Sequence, residues 1–193
     1  MRRTKEEAMQ TRATVVKAAA QVIAQQGVSA FTIEAVAQEA GITKGGVLHH
    51  FRSKEELING LIDEVIDGFN VRLEEELKIE TATEPSDQPG RWLRAYLRTV
   101  FSMRYDDKNL IPALAAAVAA DHQTLARIRH TYEQSQQAAT QDASDPLHAT
   151  IIRLAVDGIV FARALNIDVL DQEMSQKVYD ELLRLTRLTP VHS

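Results

Sequence analysis

Between Thr43 and His50 the chain sets a hydroxyl, an ammonium and two imidazoles around a pair of glycines. Each of these side chains donates hydrogen bonds, and Lys44 adds a positive charge, so the set suits a partner rich in acceptor oxygens and ring nitrogens. Duplex DNA presents both, as phosphate oxygens along its backbone and as guanine O6 and N7 in the major groove. Gly45 and Gly46 allow a backbone to approach such a surface closely. Inside a helix each costs roughly 1 kcal/mol relative to alanine, and close approach accounts for a short helix that carries two.

The flanking residues build the elements that hold this stretch. Thr32 is an N-cap, and Ile33, Val36, Ala37 and Ala40 follow the stripe of a helix buried on one face. Gly41 ends that helix in the left-handed conformation, and Thr43 caps a second helix. Val47 and Phe51 point back onto the first helix, which leaves Lys44, Gly45, Gly46, His49 and His50 on an outward face. Ser53-Lys-Glu-Glu56 is a capping box that opens a third helix, apolar through Leu57, Ile58, Leu61, Ile62, Val65, Ile66 and Phe69. Lys54 adds a cation where the free N–H groups of that helix already favour a phosphate. A helix-turn-helix of this kind places the start of its second helix in the major groove.

Gly41-Ile-Thr-Lys-Gly-Gly-Val-Leu-His-His-Phe-Arg-Ser-Lys-Glu-Glu-Leu57, preceded by Thr32-Ile-Glu-Ala-Val-Ala-Gln-Glu-Ala40, resembles the N-terminal domain of the tetracycline-repressor-like (TetR-type) family of bacterial regulators. The resemblance covers about residues 8–68. It implies an all-α homodimer whose N-terminal domains bind an operator and whose C-terminal domains dimerise and often hold a small-molecule inducer. It also implies DNA contacts at Thr32, Thr43, Lys44, Gly45, Gly46, His49, His50 and Lys54. Leu48 departs from the family, many members of which carry tyrosine there. A hydroxyl contact to phosphate is lost, and apolar contact to a thymine methyl remains.

A chain of 193 residues buries a sizeable core, and 45% hydrophobic with 25% charged residues is ordinary for a globular protein. The net charge of −5 is unevenly spread. Residues 1–60 hold eight Lys or Arg against six Asp or Glu, a balance of +2, which leaves −7 for the rest. A mildly basic head on an acidic body permits oriented DNA binding. The absence of cysteine excludes disulfides, thiolate catalysis and cysteine zinc sites. The N-terminal residues lack the apolar core of a signal peptide and no apolar run reaches spanning length, so the expected location is the cytoplasm. Arg2, Arg3 and Lys5 read as a solvated tail, with a DNA-tracking arm as the alternative.

The expected fold is all-α, with an N-terminal three-helix helix-turn-helix DNA-binding domain followed by a helical ligand-binding and dimerisation domain, divided as 1–53 and 54–193. A first helix over 7–26 stops at Gly27, and the fourth helix runs from Lys54 toward Ile79, joining the domains. Thr81–Gly90 is a turn-rich break. Helices follow around Trp92–Phe101, 112–120 and 122–141, then from Asp145-Pro146 to Leu165 and from Leu170-Asp171 onward.

The helix over Leu147–Leu165 is apolar almost all round, more than one core can cover, so a homodimer through residues 147–188 is expected. Arg153 is the natural partner of Asp157, one turn away. Trp92, Tyr96, Phe101, Tyr132 and Phe161 form the candidate lining of an effector pocket between helices. Adjacent His49 and His50 point in different directions on a helix, and His122 and His130 are eight apart with no carboxylate at metal-ligand spacing beside both, so neither pair is read as a metal site and no cofactor is expected.

No G-x-S-x-G elbow, phosphate loop, H-E-x-x-H or cysteine nucleophile supports catalysis. The expectation is a ligand-responsive transcriptional repressor that binds a palindromic double-stranded operator as a homodimer. The alternatives are a helical small-molecule-binding protein or enzyme, and a helix-turn-helix head that binds protein instead of DNA.

Overall fold

The computed structural model describes residues 5–83, 88–102, 122–164 and 167–188, which are helical with short connections and contain no strand. The helix expected over 112–120 and residues Arg2 and Arg3 lie outside the described residues. The described residues fall into two compact units, one of 5–67 with 122–124, the other of the remainder.

In the first unit, helix α1 (Lys5–Gln26) buries Val15, Val16, Ala19, Val22 and Ile23 on one side. It ends at Gly27, whose φ of +79° is a left-handed backbone that a Cβ disfavours. A 3-10 turn (Val28–Ala30) then leads to α2 (Ile33–Glu39), α3 (Lys44–His50) and the start of α4 (Lys54–Thr83). Phe31, Val36, Val47, Phe51, Leu57 and Leu61 fill the core beneath them and are almost wholly shielded from solvent.

Helix α4 outruns the expected end near Ile79. It continues through Thr83, with the hydroxyls of Thr81 and Thr83 donating back to the carbonyls of Leu77 and Ile79, each at 2.8 Å. The expected break over Thr81–Gly90 is therefore helical as far as Thr83, and residues 84–87 lie outside the described residues.

The second unit holds the rest of α4 with α5 (Arg91–Ser102), α6 (His122–Gln141, from Leu125), α7 (Pro146–Ala164) and α8 (Gln172–Leu185). Asp145 caps α7, accepting from the backbone N–H groups of Leu147 at 2.8 Å and His148 at 3.3 Å. Asp171 caps α8 through Met174 N–H at 2.7 Å. The start of α5 is capped through space: Asp142, just past α6, accepts from Trp92 N–H at 2.6 Å, and its carbonyl accepts from Gly90 N–H at 2.5 Å.

The core of this unit is Leu73, Leu93, Leu97, Val100, Ile152 and Val156 with their neighbours. Buried charged groups interrupt it. Glu80 and Arg94 are wholly buried and joined at 2.8 Å, Arg98 pairs with the other oxygen of Glu80, and Arg94 also donates to the Pro89 carbonyl at 2.8 Å. Helix α7 divides its apolar surface, with Ala149, Ile152 and Val156 buried while Leu147, Ile151, Leu154 and Phe161 are 48–67% exposed.

Candidate nucleic-acid interface

The two short helices of the first unit are held by the local devices their residues encode. Thr32 Oγ1 accepts from Ala35 N–H and Thr43 Oγ1 from Gly46 N–H, both at 3.1 Å. Each cap uses an acceptor lone pair and leaves the O–H proton to donate outward. Between them Gly41, at φ +66°, reverses the chain, and Ile42 N–H reaches the Ala37 carbonyl at 3.0 Å. Val47 and Phe51 anchor α3 to the core with no exposure at all. Thr43, Lys44, Gly45 and His49 are exposed, whereas Gly46, Leu48 and His50 are half-buried.

The glycines of α3 are not demanded by packing within the head. A Cβ on Gly45 would meet nothing nearer than Thr43 Oγ1 at 3.9 Å, and one on Gly46 would touch Ile42 and Thr43 at an ordinary 3.4 Å. Neither has the positive φ that requires glycine. Protein geometry therefore leaves the loss of helix propensity unexplained.

The flanking groups have definite partners. His49 and His50 meet edge to face, with ring centroids 5.2 Å apart. Lys54, in the first turn of α4, carries its ammonium 5.3 Å from the centroid of the buried Phe31 ring. The capping box differs in one bond from the usual pattern: Ser53 Oγ accepts from Glu56 N–H at 3.1 Å, but the Glu56 carboxylate reaches Arg52 N–H at 2.7 Å. Lys44 does not stand alone, because its ammonium is paired with Glu34 of α2. That hydrogen bond is the main reason the Glu34 carboxyl titrates below its ordinary range. Sequence spacing gave no sign of this pair, since the two residues are ten apart and meet only because α2 and α3 begin close together.

The five aromatic residues considered for an effector pocket are distributed over the second unit. Trp92 stacks on Tyr96 at 5.0 Å, and Phe69 meets the edge of Tyr96 at 5.7 Å. Tyr132 lies beneath the Arg153 guanidinium at 5.5 Å. Phe101 packs on Tyr179 at 5.1 Å, and Phe161 faces outward. Phe101 and Tyr179 border a cavity of about 400 Å³ with Arg98, Arg163 and Ser175. The Arg153–Asp157 pair is present at 2.7 Å. Asp157 also accepts from the Tyr96 hydroxyl at 2.5 Å, and Arg153 donates to Gln136 at 2.6 Å, so the carboxylate is part of a buried network across α5, α6 and α7. Burial raises the Asp157 carboxyl above its ordinary range, against the opposite pull of Tyr96 and Arg153. It pushes the Tyr96 phenol up as well, helped by the adjacent Asp157 charge.

Among the described residues no helix is long and apolar enough to cross a membrane. Residues 15–61 match the model for bacterial regulatory proteins of the tetR family, and residues 90–187 match the tetracyclin repressor-like C-terminal domain. The second match spans half of the sequence, and the chain belongs to the TetR family of bacterial regulatory proteins.

Among curated relatives, the transcriptional regulator TtgR of Pseudomonas putida is 43% identical over 63 residues, 33% of this chain and 30% of that protein. The transcriptional repressor BepR of Brucella suis is 40% identical over 62 residues, 32% of this chain and 30% of that one. The chain thus covers under a third of the length of these relatives. Among solved structures, a transcriptional regulator from Rhodococcus has a TM-score of 0.67 at 21% identity, covering 93% of this chain and 99% of that one. The multidrug binding protein EbrR, complexed with malachite green, has a TM-score of 0.64 at 18% identity, covering 92% and 98%. These structures share the fold, an N-terminal helix-turn-helix unit followed by a helical body.

Proposed function

We propose that the chain is a DNA-binding transcriptional repressor that acts as a homodimer on a palindromic operator and is released by a small-molecule effector. The observation that carries the reading is the α3 surface from Thr43 to His50, where two glycines with room for a side chain stand beside outward hydroxyl, ammonium and imidazole donors. In this reading Thr32, Thr43, Lys44, Gly45, Gly46, Leu48, His49, His50 and Lys54 meet the duplex. Base edges lie before α3 and phosphates beside the start of α4.

The exposed stripe of Leu147, Ile151, Leu154 and Phe161 supports dimerisation through residues 147–188, since a second copy would cover it. Two copies present two α3 helices, which calls for a symmetric operator. Division of labour follows, with reading assigned to 1–53 and dimerisation and effector binding to 54–193. EbrR, similar in fold, was crystallised with an organic dye, which favours a small organic effector for the body. Effector binding is proposed to act by shifting α4 and the spacing of the heads, which requires different affinities for the two states. None of this needs a catalytic group, metal or cofactor, and the proposed location is the cytoplasm.

Selection of bound sequences from a random duplex library tests class and symmetry together. The expected product is a palindrome whose affinity falls steeply with salt as phosphate contacts release counterions. Recovery of no preferred sequence would refute the assignment.

A further inference from the structure

The Lys44–Glu34 pair stands in the open. The two side chains retain 56% and 62% of their exposure, and exposed pairs of this kind add little to the stability of a fold. What the pair changes is the charge that the head shows to DNA. Lys44 follows Thr43 at the start of the reading helix, yet Glu34 cancels its charge before a duplex arrives.

Non-specific binding to DNA rests on cations that meet phosphates and displace counterions. A lysine held by a carboxylate is withdrawn from that count, and an approaching phosphate meets the anion beside it. A base edge is different. Guanine O6 and N7 accept from an ammonium, and the cytosine N4 amino group donates to a carboxylate, so a G·C pair satisfies both partners where a phosphate satisfies one and repels the other.

We infer that Glu34 is a specificity-determining residue of the reading face, which by holding Lys44 weakens binding to arbitrary sequence more than binding to the operator. The inference rests on the DNA-binding reading above.

The test uses the full chain, the duplex it enriches from a random library, and a scrambled duplex of equal length and composition. Affinities are measured from about 50 to about 200 mM salt. Glu34→Gln keeps the shape and removes the charge. For this variant the scrambled duplex should be bound several-fold more tightly, with a salt slope steeper by about one, and the ratio of operator to scrambled affinity should fall roughly three-fold or more.

Placing the same change in a Lys44→Met background closes a double-mutant cycle. There the steepening of the salt slope should be clearly smaller, because only the carboxylate's own repulsion of phosphate is left to relieve once the cation that Glu34 restrains is gone. Steepening of equal size in both backgrounds would show that the carboxylate acts without Lys44 and would overturn the inference. So would an unchanged ratio for Glu34→Gln with native helicity and thermal midpoint. If the unmodified chain enriched no sequence, the DNA-binding reading itself would fall, an outcome distinct from normal operator binding with an unaltered ratio.

Discussion

A Cβ on Gly60 of α4 would stand 2.6 Å from Cε1 and 3.2 Å from Cζ of Phe51, the residue that closes α3. The ring has little room to retreat, since it is fully buried and the Arg12 guanidinium lies 4.7 Å from its centroid. Gly60→Ala should therefore destabilise the head. Overpacking costs about 1–3 kcal/mol, against a gain of roughly 1 kcal/mol in helix propensity. Thermal unfolding followed by circular dichroism should show a lower midpoint, and an equal or higher one would mean that Phe51 repacks freely.

Gly45→Ala should do the reverse to stability. With its nearest protein neighbour at 3.9 Å, the added methyl fits, and helix propensity should raise head stability by about 0.5–1 kcal/mol. Operator affinity should nevertheless fall, because in the proposed reading the same methyl meets the duplex. Titration of the selected duplex alongside chemical unfolding checks both signs, and a variant that is more stable and binds as well would remove the main support for α3 as the reading helix.

Asp157 predicts a pH dependence. Its carboxyl is raised in the folded protein, chiefly by burial, so between the ordinary carboxylate value and the raised one the folded state binds more protons than the unfolded chain. This group's contribution to stability should decline as pH rises through that interval. Asp157→Asn should flatten that part of the profile, though it also weakens the network with Tyr96 and Arg153. Urea midpoints measured from about pH 4 to about pH 7 would expose the difference. Parallel profiles for the two proteins would show that Asp157 does not titrate as described.

Leu154, 56% exposed on α7, sits in the middle of the stripe proposed to meet a second copy. Leu154→Glu should yield a folded monomer, because a carboxylate repeated across a two-fold axis would face its own image without a partner. Sedimentation should give a mass near 21.5 kDa for the variant and twice that for the unmodified chain. A variant that still sediments as a dimer would move the interface elsewhere.

Where a feature is local, the sequence was sufficient. Thr32, Thr43, Ser53, Asp145 and Asp171 each cap the helix that follows within three residues, and Gly27 and Gly41 take positive φ where a helix must end. Arg153 and Asp157 are one turn apart and were readable for the same reason.

Contacts between distant segments were not readable. Glu80 and Arg94 carry the marks of wet helix faces, and only the folded chain shows that they neutralise each other in a dry place with Arg98. Glu34 with Lys44 and Gly60 with Phe51 belong to the same class, in which two elements meet at a point that no periodicity encodes. Aromatic content told equally little about position: Trp92 and Tyr96 stack together, Phe101 borders the cavity and Phe161 looks outward.

The cap that Asp142 places on α5 makes the corner after Gln141 a joint between chain segments far apart in sequence. A protease that nicked the backbone there would unfasten the beginning of α5 along with the end of α6. Cleavage at one bond would therefore register as the fraying of two helices, which makes this corner a poor place to insert a tag or reconnect the termini.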